Sequence, residues 1–264
     1  MNARVQPDRQ EGEEGQEGEP TMSEVAIPGV DGDLAGVLFS PAGERVSAAV
    51  MVLPEIDGFC DGTVAAARRL ALSGYVALAL DPFAPYGSTP PLRGGEDTMA
   101  WLARLNDRRQ LSDLAMALAW LRALRNVDAD RVAVVGFSIG GRYGMMLTTE
   151  PHGLRAVAAF YSRPWPGGAI ADVALAPGNH VAKFNAPVCA VFGDDDEMIP
   201  QDMVEEFRSL LARHPSSGHE LHLFPGRHFF ANESRPRRYV PASAEEAWTI
   251  VGDFLAAHMA GPPD

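Results

Sequence analysis

The chain has 264 residues, 46% of them hydrophobic, which suits one large α/β domain with a sizeable core better than two small ones. Its formal net charge of −13 argues against nucleic acid as a partner, because phosphate backbones are bound by basic patches. The 2 cysteines, Cys60 and Cys189, form no CxxC pair and lack matching His spacing, which argues against a zinc site or a disulfide framework and for a reducing compartment.

Residues 1–22 read as a disordered acidic tail. Glu11–Pro20 contains only Glu, Gly, Gln and Pro, which cannot bury enough apolar surface to offset the entropy of ordering. The N-terminus has no apolar signal core, and no apolar run reaches the ~20 residues of a membrane span. A soluble, cytoplasmic protein with no membrane partner is expected, and the sequence does not fix its oligomeric state. Residues 23–264 read as one catalytic domain.

Val25–Ile27 and Leu34–Phe39 predict short strands around a Gly-Val-Asp-Gly turn. Ala48–Leu53 is a continuous apolar run, as in a strand buried on both faces. A helix over Thr63–Leu72 ends at Gly74 and leads into a strand over Tyr75–Leu80. Asp97–Leu124 has helical character with a break near Asn106–Asp107. Then come strand Arg131–Val135, helix Gly140–Leu147, strands Leu154–Tyr161 and Val188–Phe192, helix Gln201–Arg213, strand Glu220–Phe224 and helix Ala242–His258. Strands alternating with helices predict βαβ units and a mostly parallel sheet covered on both faces. Pro and Gly cluster at residues 81–95 and 163–179, in loops long enough to shape a pocket.

One motif carries chemistry. The strand ending at Val135 runs into Gly136-Phe137-Ser138-Ile139-Gly140-Gly141, a G-x-S-x-G between a strand and a helix. Such a turn strains the backbone at Ser138 and exposes its hydroxyl, while the glycines let strand and helix approach. The Ile139 N–H, at the helix N-terminus, can point at a developing oxyanion.

A serine hydroxyl is a poor nucleophile without a base, so a histidine oriented by a carboxylate is required. The strand ending at Phe192 opens into Gly193-Asp194-Asp195-Asp196-Glu197, where several carboxylates compete. Of the 7 histidines, only His228 follows a late strand by a short turn.

Four segments together resemble the dienelactone hydrolase family of α/β hydrolases: Leu53 through Gly58, Gly136 through Gly141, Gly193 through Pro200, and Phe224 through His228. They follow the family's order, and the resemblance spans about residues 24–259. It implies the α/β-hydrolase fold and hydrolysis of a small ester or lactone by Ser138 and His228 through an acyl-enzyme, without metal or cofactor. The family's acid pattern, G-x-x-D-x-x-[VI]-P, is matched by Gly193, Asp196, Ile199 and Pro200, which selects Asp196 as the acid. The second oxyanion N–H falls to Ile56, and Glu55 to a supporting role.

The chain also departs from the family, whose archetypes use a cysteine nucleophile where Ser138 stands. Asn232 and Glu233 occupy the neighbourhood of an arginine that binds substrate carboxylate. Arg93 and Arg163 are the remaining candidates for that contact, and neutral esters are expected to rival acidic lactones if neither serves. Acyl transfer, peptide cleavage or perhydrolysis on the same three side chains, and a non-catalytic binding module, are the alternatives.

Overall fold

The computed structural model describes residues 18–43, 45–56, 58–87, 101, 104–167, 175–214 and 217–261. Its centre is an eight-stranded sheet in the order β1-β2-β4-β3-β5-β6-β7-β8. β1 (Thr21–Ile27) and β2 (Leu34–Ser40) form an antiparallel hairpin, and β2 pairs antiparallel with β4 (Val76–Asp81). From β4 onward every pair is parallel, through β3 (Ser47–Leu53), β5 (Val127–Phe137), β6 (Ala156–Phe160), β7 (Val188–Gly193) and β8 (Glu220–Phe224). Every residue of β3, β4, β6 and β7 is buried. This is why those strands read as unbroken apolar runs instead of alternating ones.

The helices are α1 (Asp61–Leu72), α2 (Asp107–Arg122), α3 (Ile139–Leu147), α4 (Gln201–Ala212) and α5 (Pro241–Met259). Gly144 of α3 lies against Val134 and Val157. Trp248 of α5 packs at a tilt against Phe137 and Phe160, which sit three residues further along the same two strands. An offset of three on a strand reverses the face, so α3 and α5 cover opposite sides of the sheet. Arg69 ties α1 to α5 through a two-pronged contact with Glu245, which places α1 on the α5 side.

Within the expected helical stretch Asp97–Leu124, the break near Asn106–Asp107 is present: a helix runs over Asp107–Arg122, with Asn106 accepting a bond from the Arg109 N–H at its start, and residues 97–100, 102 and 103 lie outside the described residues. β1 begins at Thr21, so Thr21 and Met22 pair with Ser40 and Phe39 instead of belonging to a tail. No helix among the described residues is long and apolar enough to cross a membrane. Both cysteines are free thiols.

Candidate active site

The C-terminal ends of the parallel strands converge on Ser138. β5 stops at Phe137, α3 begins at Ile139, and Ser138 between them has φ 50° and ψ −114°. A side chain at positive φ is strained, and the surroundings must hold it there. Ser138 N–H donates to the Phe160 carbonyl at 2.9 Å, and the Ser138 carbonyl accepts from the Arg142 N–H at 3.1 Å. The flanking glycines are sterically required. A Cβ on Gly136 would lie 2.5 Å from the Gly140 backbone, and one on Gly140 would strike the Pro54 carbonyl.

His228 follows β8 by a short turn, and its Nε2 lies 3.0 Å from Ser138 Oγ. Its Nδ1 lies 2.7 Å from Asp196 Oδ2, and both side chains are buried. The other Asp196 oxygen accepts the Met198 N–H at 2.8 Å, which fixes the carboxylate plane. The two ring nitrogens of His228 thus face different partners, Nδ1 the Asp196 carboxylate and Nε2 the Ser138 hydroxyl. The neighbouring acids are committed elsewhere: Asp194 accepts the Gly226 N–H at 3.0 Å, and Asp195 pairs with Arg227 at the surface.

Ile56 and Ile139 flank Ser138 in the wall of a cavity of about 120 Å³, with Arg142, Arg163, Pro166, Gly167, Met198, His228 and Phe229. Ile139 is the first residue of α3, where backbone N–H groups lack intrahelical acceptors. Arg163 reaches this cavity, and its Nε is buried without a hydrogen-bond partner among the described residues. Arg93, the other predicted substrate contact, lies outside the described residues. A larger cavity of about 250 Å³ lies between α1 and α5 and reaches Glu55 and Asn232, but neither Ser138 nor His228 lines it.

Glu55 is buried, and its carboxylate is bonded to groups outside the serine turn. It accepts from the Tyr161 hydroxyl at 2.7 Å and from Asn232 Nδ2 at 3.1 Å, and lies 3.3 Å from Arg235 Nε. Burial outweighs these contacts and raises its pKa above the usual carboxylate value. Arg235 also stacks over Phe229, the residue after His228, at 4.1 Å. Tyr161 and Arg235 escape a reading of the sequence. One looks like the end of a buried strand and the other like a loop cation, and only the fold brings both to Glu55. Arg142 left a usable signal, since it stands four residues after Ser138, one helical turn on.

Among the described residues, one Cys/His/acid group has metal-ligand spacing: Cys189, Glu220 and His222 on β7 and β8. None of its members lines the Ser138 cavity. Burial pushes the Cys189 thiol pKa up, against the thiolate that a metal needs.

The doubly covered, mostly parallel sheet and its serine at a strained strand–helix turn define an α/β hydrolase. Residues 34–259 match the model of the dienelactone hydrolase family. The chain belongs to that family of hydrolases acting on carboxylic ester bonds. A Bradyrhizobium sp. protein assigned as a 2-oxo-3-(5-oxofuran-2-ylidene)propanoate lactonase is 30% identical over 247 residues, covering 94% of this chain and 93% of its own. An Escherichia coli K12 protein assigned as a carboxymethylenebutenolidase is 31% identical over 202 residues, 75% of this chain and 73% of its own. The crystal structure of a Klebsiella pneumoniae protein assigned as a dienelactone hydrolase superposes with a TM-score of 0.82 at 26% identity, covering 90% of this chain and 98% of that one.

Proposed function

We propose that this chain is a serine hydrolase that opens a small ester or lactone through an acyl-enzyme on Ser138. The reading rests chiefly on one observation, the unbroken chain from Ser138 Oγ through His228 to Asp196, at 3.0 Å and 2.7 Å. Ser138 Oγ attacks the carbonyl carbon while its proton passes to His228 Nε2. Asp196 stabilises the imidazolium, and the N–H groups of Ile56 and Ile139 hold the oxyanion. The imidazolium then protonates the departing alkoxide, which in a lactone stays tethered to the acyl group. Water, deprotonated by His228, attacks the acyl-enzyme, and the tetrahedral intermediate collapses to acid and free serine.

The cavity of about 120 Å³ suits a small acyl group, and Arg163 supplies a cation there for an anionic substituent. The lactonase assignment of the Bradyrhizobium relative, whose substrate name includes a propanoate, supports a carboxylate-bearing lactone as the first substrate to try. Mass spectrometry of enzyme quenched during turnover tests the reading. One acyl adduct on Ser138, absent from Ser138→Ala together with activity, is expected. Full turnover by Ser138→Ala would sink it.

A further inference from the structure

We propose that Asp107 and Arg142 are positioning residues that hold the oxyanion-binding side of the site in register; this rests on the hydrolase reading above. Arg142 lies one turn into α3 and is almost fully buried, and its side chain is part of the cavity wall. Its guanidinium meets Asp107, the first residue of α2, through two parallel bonds: Nη1 to Oδ2 at 2.6 Å and Nη2 to Oδ1 at 2.8 Å. The Tyr143 hydroxyl donates to the same Oδ1 at 2.6 Å. Three donors from adjacent residues of α3 thus converge on one carboxylate, and the planar fork leaves little rotational freedom.

Apolar packing acts from a second direction. Phe83 and Trp101 meet edge to face at 4.9 Å, and this small apolar cluster packs against Leu105, Ile56 and Ile139. Ile56 and Ile139 are the two residues whose N–H groups are assigned to the oxyanion. The Phe83–Trp101 cluster therefore touches both donor residues through apolar contact, and Asp107 grips the turn behind one of them through an ion pair.

A buried ion pair gains little net stability over an apolar pair of similar volume, because desolvation offsets the attraction. It does fix geometry. Oxyanion donors work only when preorganised, and small misplacements are costly. The pair has no bond to Ser138 Oγ, His228 or Asp196 side chains, so its influence runs through the placement of α3 against the Ile56 loop.

The test uses Asp107→Asn, Arg142→Lys and the double variant Asp107→Leu/Arg142→Met in the full chain. The double variant removes both charges together, so it stays informative where a single change leaves a buried charge unpaired and the chain unfolded. Each is assayed on a short-chain p-nitrophenyl ester, and for affinity toward an alkylboronic acid, which forms a tetrahedral adduct on serine, and toward the acid product. In folded variants kcat should fall by roughly 10- to 100-fold, less than or comparable to loss of one donor. KM and product affinity should stay within about twofold, and boronate affinity should fall in step with kcat. An unchanged kcat, or a fall in kcat with boronate affinity intact, overturns the positioning role. Wild-type enzyme that neither cleaves the ester nor binds the boronate overturns the hydrolase reading, and this proposal with it.

Discussion

Asp194 and Gly226 are joined by a 3.0 Å hydrogen bond from the Gly226 N–H to the Asp194 carboxylate, which ties the loop after β7 to the turn that carries His228. Asp196, two residues on, bonds the imidazole itself. All three adjacent acids thus bond one turn: Asp194 at the Gly226 backbone, Asp195 at the Arg227 side chain on the surface, and Asp196 at the imidazole. Asp196→Asn should lower kcat by several orders of magnitude, on the order of 10⁴ as in the protease case. Asp194→Asn keeps an acceptor oxygen for Gly226 and should retain most activity. Asp195→Asn breaks only an exposed pair with Arg227 and should leave stability and activity nearly unchanged. Kinetics and thermal unfolding of the three variants check this, and equal activity losses would defeat the assignment of Asp196.

Arg163 reaches the wall of the Ser138 cavity, whereas Asn232 and Glu233, which follow His228 in the chain, line the larger cavity between α1 and α5. A charge-assisted bond to a buried partner is worth about 1.5–3 kcal/mol. Arg163→Met should therefore lower kcat/KM for a carboxylate-bearing lactone by roughly 10- to 100-fold. A neutral ester of similar size should change by no more than about threefold, since Met preserves the aliphatic packing. Equal losses on both substrates would assign Arg163 to the frame of the cavity.

Glu19 and Arg68 form an exposed ion pair between the segment before β1 and α1. Exposed pairs contribute about 0–1 kcal/mol. Deleting residues 1–17 leaves this pair and β1 in place, and should leave Tm and kcat unchanged. Deleting residues 1–27 removes the β1 ladder along β2 and exposes the buried Ile27 site, so a clear drop in Tm is expected. A large loss in the shorter deletion would show that the acidic tail docks on the domain.

These outcomes bear on what the sequence could reveal. The place of Ser138 at a strand–helix turn was legible because its signal is local: two small neighbours, a strand before and a helix after. The central strands were legible because burial on both faces leaves no polar positions to blur them. β1 was underread because most of its residues are exposed, and its ladder to β2 holds it without an apolar pattern. β5 starts at Val127, four residues before the expected Arg131, because Asp128 and Asp130 resemble a loop although the backbone is already extended. The surroundings of Glu55 were illegible for another reason. Tyr161 comes from the loop after β6, Asn232 and Arg235 come from the loop after β8, and no spacing along the chain encodes their meeting at Glu55.

Glu55 gives the last prediction, in two parts. Its neighbours Pro54 and Ile56 sit where the Gly140 backbone and the cavity wall meet the loop after β3. The carboxylate anchors that loop to Tyr161 and to the segment after His228. Glu55→Gln keeps shape and an acceptor and should retain most of kcat. Glu55→Ala should lose more, bounded by the ~3 kcal/mol that one oxyanion donor supplies. The second part follows from titration. Burial raises the folded pKa above the ordinary 4.5, against the lowering effect of Tyr161, Arg235, Asn232 and His228. The folded state therefore holds this proton more tightly than the unfolded chain does. The stabilisation is complete below about pH 4.5 and is lost as pH rises through the folded pKa. A glutamine stays neutral throughout, so the stability of Glu55→Gln relative to wild type should rise with pH above 4.5 and then level off. Denaturant unfolding of both proteins from pH 4.5 to 9 measures this difference. If wild type instead gains on the variant as pH rises, the Arg235 contact outweighs burial and the ionised form is the one the fold prefers.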